Sequence, residues 1–179
     1  MGVLIAIGLG LIYFTFMVTF ENIEIGCPHA HNYEKFCNFG GYIDRNIFGK
    51  NHMIYPNDPE GLFSTLSAFL NGYIGYWFCL IMQDNKTNIK KTLALWTIFT
   101  VLMGALVYPV SLAMPISKKM WTISFVFLTA AASGLGLVLI TFFVDVLSSK
   151  HQTYKKIIDK ITTPFIWLGR NPLAIFVLM

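Results

Sequence analysis

Across its 179 residues the chain is 55% hydrophobic and only 12% charged, and its positive mean hydropathy excludes an ordinary soluble domain. The formal charge of +4 does not point to nucleic acid, because the lysines fall in short segments between apolar blocks and not on a continuous basic face. Those blocks run to about 20 residues, the length a helix needs to cross about 30 Å of hydrocarbon, so the expected fold is all-α: a polytopic transmembrane helix bundle of about five spans.

The first span is expected from about Gly2 to Phe20. No basic segment precedes it and no small-residue cleavage site precedes Glu21, so it does not read as a secretory signal. Residues 21–61 then form the one polar stretch long enough to hold structure of its own. The second span, Leu62–Met82, is followed by a tight loop with Asp84, Lys86, Lys90 and Lys91. Spans three and four cover Leu93–Met114 and Trp121–Leu147, separated by a short turn with Pro115, Lys118 and Lys119. A basic connecting segment, 148–163, leads to a last apolar stretch, Pro164–Met179, which at 1.5 Å per residue gives only about 24 Å of helix. The chain thus begins and ends in apolar blocks and is expected to be a fragment.

Orientation follows from the basic residues, which favour the cytosolic side in short loops. Lys86, Lys90, Lys91, Lys150, Lys155, Lys156 and Lys160 flank the ends of spans two and four, placing those ends in the cytosol and residues 21–61 in the lumen. The Asn85-Lys86-Thr87 glycosylation sequon lies on the side assigned to the cytosol and runs against this orientation. Cys27 and Cys37 lie in the lumenal stretch, where a disulfide persists; Cys79 lies in a span. The spacing of Cys27, His29 and His31 matches no standard zinc site, so a Cys27–Cys37 disulfide is the expectation and no metal is expected.

Four-residue spacings of small residues, Ala68 with Gly72, Ala130 with Gly134 and Ala132 with Gly136, predict close helix contacts. Asp58-Pro59-Glu60-Gly61 reads as a helix start, with Asp58 capping, Pro59 at the first helical position and Glu60 in the first turn. The same two carboxylates, held at a membrane surface, could bind an amine or take its proton. Gly41-Tyr42-Ile43-Asp44-Arg45 reads as a turn into a short amphipathic segment. Arg170 and Asn171, in Leu168-Gly169-Arg170-Asn171-Pro172, put polar groups at the mouth of the last span, either snorkelling to lipid or meeting a ligand phosphate.

Taken in order, the lumenal Cys-Pro at 27–28, the second cysteine, Gly-Tyr-Ile-Asp-Arg at 41–45, Asp-Pro-Glu-Gly at 58–61, Lys-Lys-Met-Trp-Thr-Ile-Ser-Phe at 118–125 and Leu-Gly-Arg-Asn-Pro at 168–172 resemble the heparan-alpha-glucosaminide N-acetyltransferase family. The resemblance implies a membrane acetyltransferase that takes acetyl-CoA, as co-substrate, from the cytosol and acetylates the terminal glucosamine amine of heparan sulfate in the lysosomal lumen. It implies substrate-side roles for Asp44, Arg45, Asp58 and Glu60 and CoA-side roles for Arg170 and Asn171. The family's catalytic histidine is expected upstream of this chain, so no catalytic residue is carried over. The implied partners are membrane lipid, an amino-sugar or glycosaminoglycan end, the N-terminal half of the same protein and a second copy in a homodimer, with no nucleic acid. The alternative is a noncatalytic membrane subunit or transporter-like bundle of the same fold.

Overall fold

The computed structural model describes residues 2–21, 33, 37–49, 61–147 and 152–171. Among these residues all regular structure is helical: α1 Gly2–Thr19, α2 Phe39–Phe48, α3 Leu62–Asp84, α4 Ile89–Ala113, α5 Ile123–Thr141 with a π-helical continuation Phe142–Leu147, and α6 Gln152–Arg170. The chain divides into two compact units, residues 1–135 and 136–179.

Among the described residues four stretches are long and apolar enough to cross a membrane: Gly2–Thr19, Leu62–Asp84, Ile89–Ala113 and Ile123–Leu147. They coincide with the first four expected spans. At 1.5 Å per residue each covers roughly 27 Å or more, matching the hydrocarbon thickness. Their apolar side chains face outward on many sides, with Leu4, Tyr108 and Leu112 each more than 70% exposed. A helix that is apolar all round needs an apolar surrounding, and the chain is an integral membrane protein.

In the first unit α3 is the central helix, packed against α1, α2 and α4. The core sits at the end of this unit that carries α2, around Tyr13, Met17, Phe63, Met114 and Ile123. Aromatic rings fasten α2 there: Phe39 stacks on Phe16 at 4.9 Å between centroids and meets Phe63 edge-on at 4.8 Å, and Tyr13 stacks on Phe63 at 4.9 Å. Such pairs contribute about 0.5–1.5 kcal/mol each beyond the area they bury. Toward the other end, the Trp96 indole donates to the Phe78 carbonyl at 2.9 Å and ties α4 to α3.

The small-residue expectation holds at one pair. Gly134 is buried so closely against α3 and α4 that an added Cβ would lie 2.5 Å from Thr100 Oγ1 and 2.7 Å from Phe78 Cζ, and Ala130, one turn earlier, is also buried. Gly72 and Gly136 have no heavy atom within 4 Å of the corresponding point, so the Ala68–Gly72 and Ala132–Gly136 pairs make no such contact.

The second unit corrects the expected division at Pro164. Residues 152–163, read as a connecting segment, and the start of the fifth span, Pro164–Met179, join in one helix, α6, with Pro164 inside it. Proline cannot donate to the preceding turn, yet the amphipathic repeat on both sides carries the helix through. The fifth span does not figure among the helices able to cross a membrane, and residues 172–179 lie outside those described.

Candidate functional site

Asp44 is the organising residue at the α2 end of the first unit. Asn38 caps α2, accepting the Gly41 N–H on its side-chain oxygen at 2.7 Å. The helix this starts brings Asp44, 1% exposed, up to the beginning of α3. There Asp44 Oδ1 accepts the Leu62 N–H at 3.0 Å. Gly61 occupies the N-cap position of α3 and has no side chain to cap it. The cap therefore comes from another helix, and the carboxylate sits at the positive end of the α3 dipole, where negative charge is favoured.

Gly61 is required by this contact, because any Cβ there would run into the Asp44 carboxylate. α3 begins at Leu62, and Asp44 caps it from 18 residues away; Asp58, the cap expected from the sequence, lies outside the described residues. Next to it, Arg45 is half-buried; burial lowers its pKa from the ordinary arginine value, while the neighbouring Asp44 charge acts in the opposite sense. Ile47 and Phe48, on the outer face of α2, are exposed as an amphipathic segment requires.

Facing α2 across the core is the turn between α4 and α5, which contains the Lys-Lys-Met-Trp-Thr-Ile-Ser-Phe motif. Its backbone takes an unusual course, with Trp121 in the left-handed region at φ 50°. A bulky side chain there costs about 1–2 kcal/mol, and the turn is held by hydroxyl groups from several helices. Tyr13 donates to the Met120 carbonyl at 2.7 Å, Ser67 to the Trp121 carbonyl, and Ser124 to the Met114 carbonyl at 2.8 Å. Tyr33 donates to the Ala113 carbonyl at 2.6 Å, and Thr122 Oγ1 accepts the Ser117 N–H at 3.0 Å. Carbonyls that an apolar setting would leave unsatisfied are thereby paired.

Between these two constructions lies a small cleft bounded by Tyr13, Asn38, Asp44, Ser64 and Lys119, among others. Lys118 and Lys119 are exposed at the tip of the turn. The arrangement is a polar, hydrogen-bonded end on an otherwise apolar bundle, carrying cationic groups from two motifs that are 74 residues apart between Arg45 and Lys119. It can bind polar and anionic groups.

Of the sequence candidates, Asp44 and Arg45 belong to this end. Asp58, Glu60, Cys27, His29, His31 and His52 lie outside the described residues, so the Cys27–Cys37 pairing and the carboxylate pair have no geometry here. Arg170 is the last residue of α6 and is exposed; Asn171 follows it and donates to the Trp167 carbonyl at 3.1 Å. Both belong to the second unit. Sequence reasoning missed Tyr13, Ser67 and Ser124. Their signal is a hydroxyl in or at the edge of an apolar block, which in lipid requires a partner.

No protein-family model matches the chain. Two curated proteins do: the Mus musculus heparan-alpha-glucosaminide N-acetyltransferase is 26% identical over 155 residues and the Homo sapiens one 24% over 155 residues, each alignment covering 76% of this chain. The chain is similar to the heparan-alpha-glucosaminide N-acetyltransferases. The similarity read from the ordered motifs thus extends through most of the chain. It spans 22% of the length of these N-acetyltransferases.

Proposed function

We propose that this chain is part of a membrane acetyltransferase that moves acetyl from cytosolic acetyl-CoA to the amine of a lumenal glucosamine at the end of a heparan-sulfate-type chain. The observation that carries the reading is the similarity to two N-acetyltransferases across most of the chain, in a protein whose helices suit a bilayer. In the reaction the neutral amine attacks the thioester carbonyl, the new N–C bond replaces the C–S bond, the amine releases a proton and CoA leaves as the thiol. A barrier between the two substrates calls for a passage between helices.

The α2 end faces the lumen in this reading, and a Cys27–Cys37 disulfide ties its loop. Asp44 acts as a positioning residue, since its carboxylate is engaged at the start of α3, directly after Asp58-Pro59-Glu60 in the sequence. Asp58 and Glu60 receive the cationic amine, and Arg45, Lys118 and Lys119 draw in the anionic sugar chain. On the cytosolic side Arg170 and Asn171 meet CoA phosphates. No catalytic residue is assigned within the chain. The compartment is lysosomal or another endomembrane.

The test uses sealed membranes carrying the full-length protein, with labelled acetyl-CoA outside and a glucosamine-terminated heparan oligosaccharide inside. Label in the enclosed sugar is the expected result; its absence, with the protein present and folded, contradicts the reading. A noncatalytic membrane subunit or transporter-like bundle of the same fold is the second reading, favoured by one observation: none of the four histidines, His29, His31, His52 and His151, falls within a candidate membrane-crossing stretch. It predicts no binding of acetyl-CoA by the full-length protein.

A further inference from the structure

Helix α6 differs from the four membrane-crossing helices in its pattern. Ile161, Phe165 and Leu168 follow one another at four- and three-residue steps and so share one face; they are 60%, 67% and 50% exposed. The helix sequence carries Lys155, Lys156, Lys160 and Arg170 against a single acidic residue, Asp159. Lys160, Thr163 and Arg170 lie on the side away from the apolar face by the same helical repeat, and Lys160, Thr163 and Trp167 line one shallow groove. A helix with an apolar face, a basic polar face and low overall hydrophobicity is built to lie in a membrane surface.

The position of α6 in the chain supplies the surface. The candidate span Ile123–Leu147 ends five residues before Gln152, a step of at most about 18 Å even in a fully extended chain. The helix therefore starts close to the edge of the hydrocarbon.

We propose that α6 lies in the membrane–water interface, with Ile161, Phe165 and Leu168 in the acyl region and its lysines on the headgroups of anionic phospholipids. Charge complementarity selects the occupant: cations near an anionic leaflet are attracted over a Debye length, and several on one helix act together. Trp167 beside Lys160 suits the headgroup level, where an indole places its ring in the apolar zone and its N–H in the polar one. The proposal depends on the chain being a membrane protein and not on the acetyl-transfer reading.

The full-length protein carrying Cys79→Ser is reconstituted into vesicles of phosphatidylcholine, with or without phosphatidylglycerol, and spin-labelled at Ile161→Cys, Phe165→Cys, Leu168→Cys or Thr163→Cys. The protein without an introduced cysteine serves as the blank. In anionic vesicles, labels at 161, 165 and 168 are expected to collide with oxygen more than with an aqueous nickel chelate, at depths of about 5–10 Å, and the label at 163 to do the reverse. Depth is expected to decrease in phosphatidylcholine alone, at high salt and with Lys160→Glu. Equal exposure of all four sites to the aqueous reagent overturns the proposal, as does exclusion of both reagents from 161, 165 and 168, which would mean that protein covers that face. Equal depth in neutral and anionic vesicles, or recovery of depth in neutral vesicles by inorganic phosphate, overturns the assignment to anionic lipid.

Discussion

The carboxylate of Asp44 lies directly over Gly61, in the space that any larger residue's Cβ would occupy, and from there takes the Leu62 N–H at 3.0 Å. The two residues form one device: the glycine leaves room for a cap that its own missing side chain cannot provide. Asp44→Ala is expected to lower stability in detergent by about 1–2 kcal/mol through loss of the cap, and Asp44→Asn by less, since the amide oxygen still accepts. Gly61→Ala is expected to cost about 1–3 kcal/mol by overpacking. Because both changes act on one contact, the double variant should cost less than their sum; additive losses in thermal unfolding would show that the contact is not shared.

The α4–α5 turn is held from outside by Tyr13 and Ser67, which donate to the carbonyls of Met120 and Trp121. Tyr13→Phe keeps the ring stacked on Phe63 and removes only the hydroxyl, so its expected cost is about 0.5–1.5 kcal/mol. Ser67→Ala is expected to cost a similar amount. Protease sensitivity of the turn at Lys118 and Lys119 should rise in both variants, and unchanged cleavage would mean that the hydroxyls do not restrain it.

Where α5 crosses α3 and α4, Gly134 faces Thr100 and Phe78. Gly134→Ala is expected to destabilise the bundle by about 1–3 kcal/mol. The Thr100 hydroxyl is buried and has no hydrogen-bond partner among the described residues, so Thr100→Ala in the Gly134→Ala background should recover part of the loss by removing the unpaired group and its share of the clash, while the contact with Phe78 remains. Thermal unfolding of the two variants compares them directly.

The four spans were legible in the sequence because the bilayer imposes a length on apolar blocks; α3 starts at Leu62, where the sequence placed it, and α1 ends one residue before Phe20. The cap of α3 was not legible. Local rules point to Asp58, and the residue that caps is brought there by α2, whose docking depends on the Phe16, Phe39 and Phe63 rings. For α6 the pattern was present but outweighed: Pro164 read as a boundary, whereas the apolar repeat from Ile161 to Phe165 and Leu168 runs straight through it. The turn around Trp121 was visible as a motif and not as a hydrogen-bonded hub, since its partners lie on α1, at Tyr33 and on α3.

Burial raises the pKa of Tyr33 above the ordinary phenol value of 10.0, and its neutral hydroxyl donates to the Ala113 carbonyl. The folded-state pKa is higher than that of the unfolded chain, so this contribution is fully present below pH 10.0 and is lost as pH rises through the folded value. Tyr33→Phe is expected to be less stable at neutral pH and to lose less stability in the alkaline range. Parallel alkaline stability curves for the two proteins would contradict this.

The central claim is that the bundle crosses a bilayer with the α2 end and the Lys86 loop on opposite sides. It is tested most directly with cysteines introduced one at a time, Lys118→Cys or Lys86→Cys, each in a Cys79→Ser background, in sealed vesicles with the cytosolic face outward; the Cys79→Ser protein, which keeps Cys27 and Cys37, serves as the blank. A membrane-impermeant maleimide added outside should label position 86 at once and position 118 only after the vesicles are permeabilised. Labelling of both positions from the same side of intact vesicles would contradict the account.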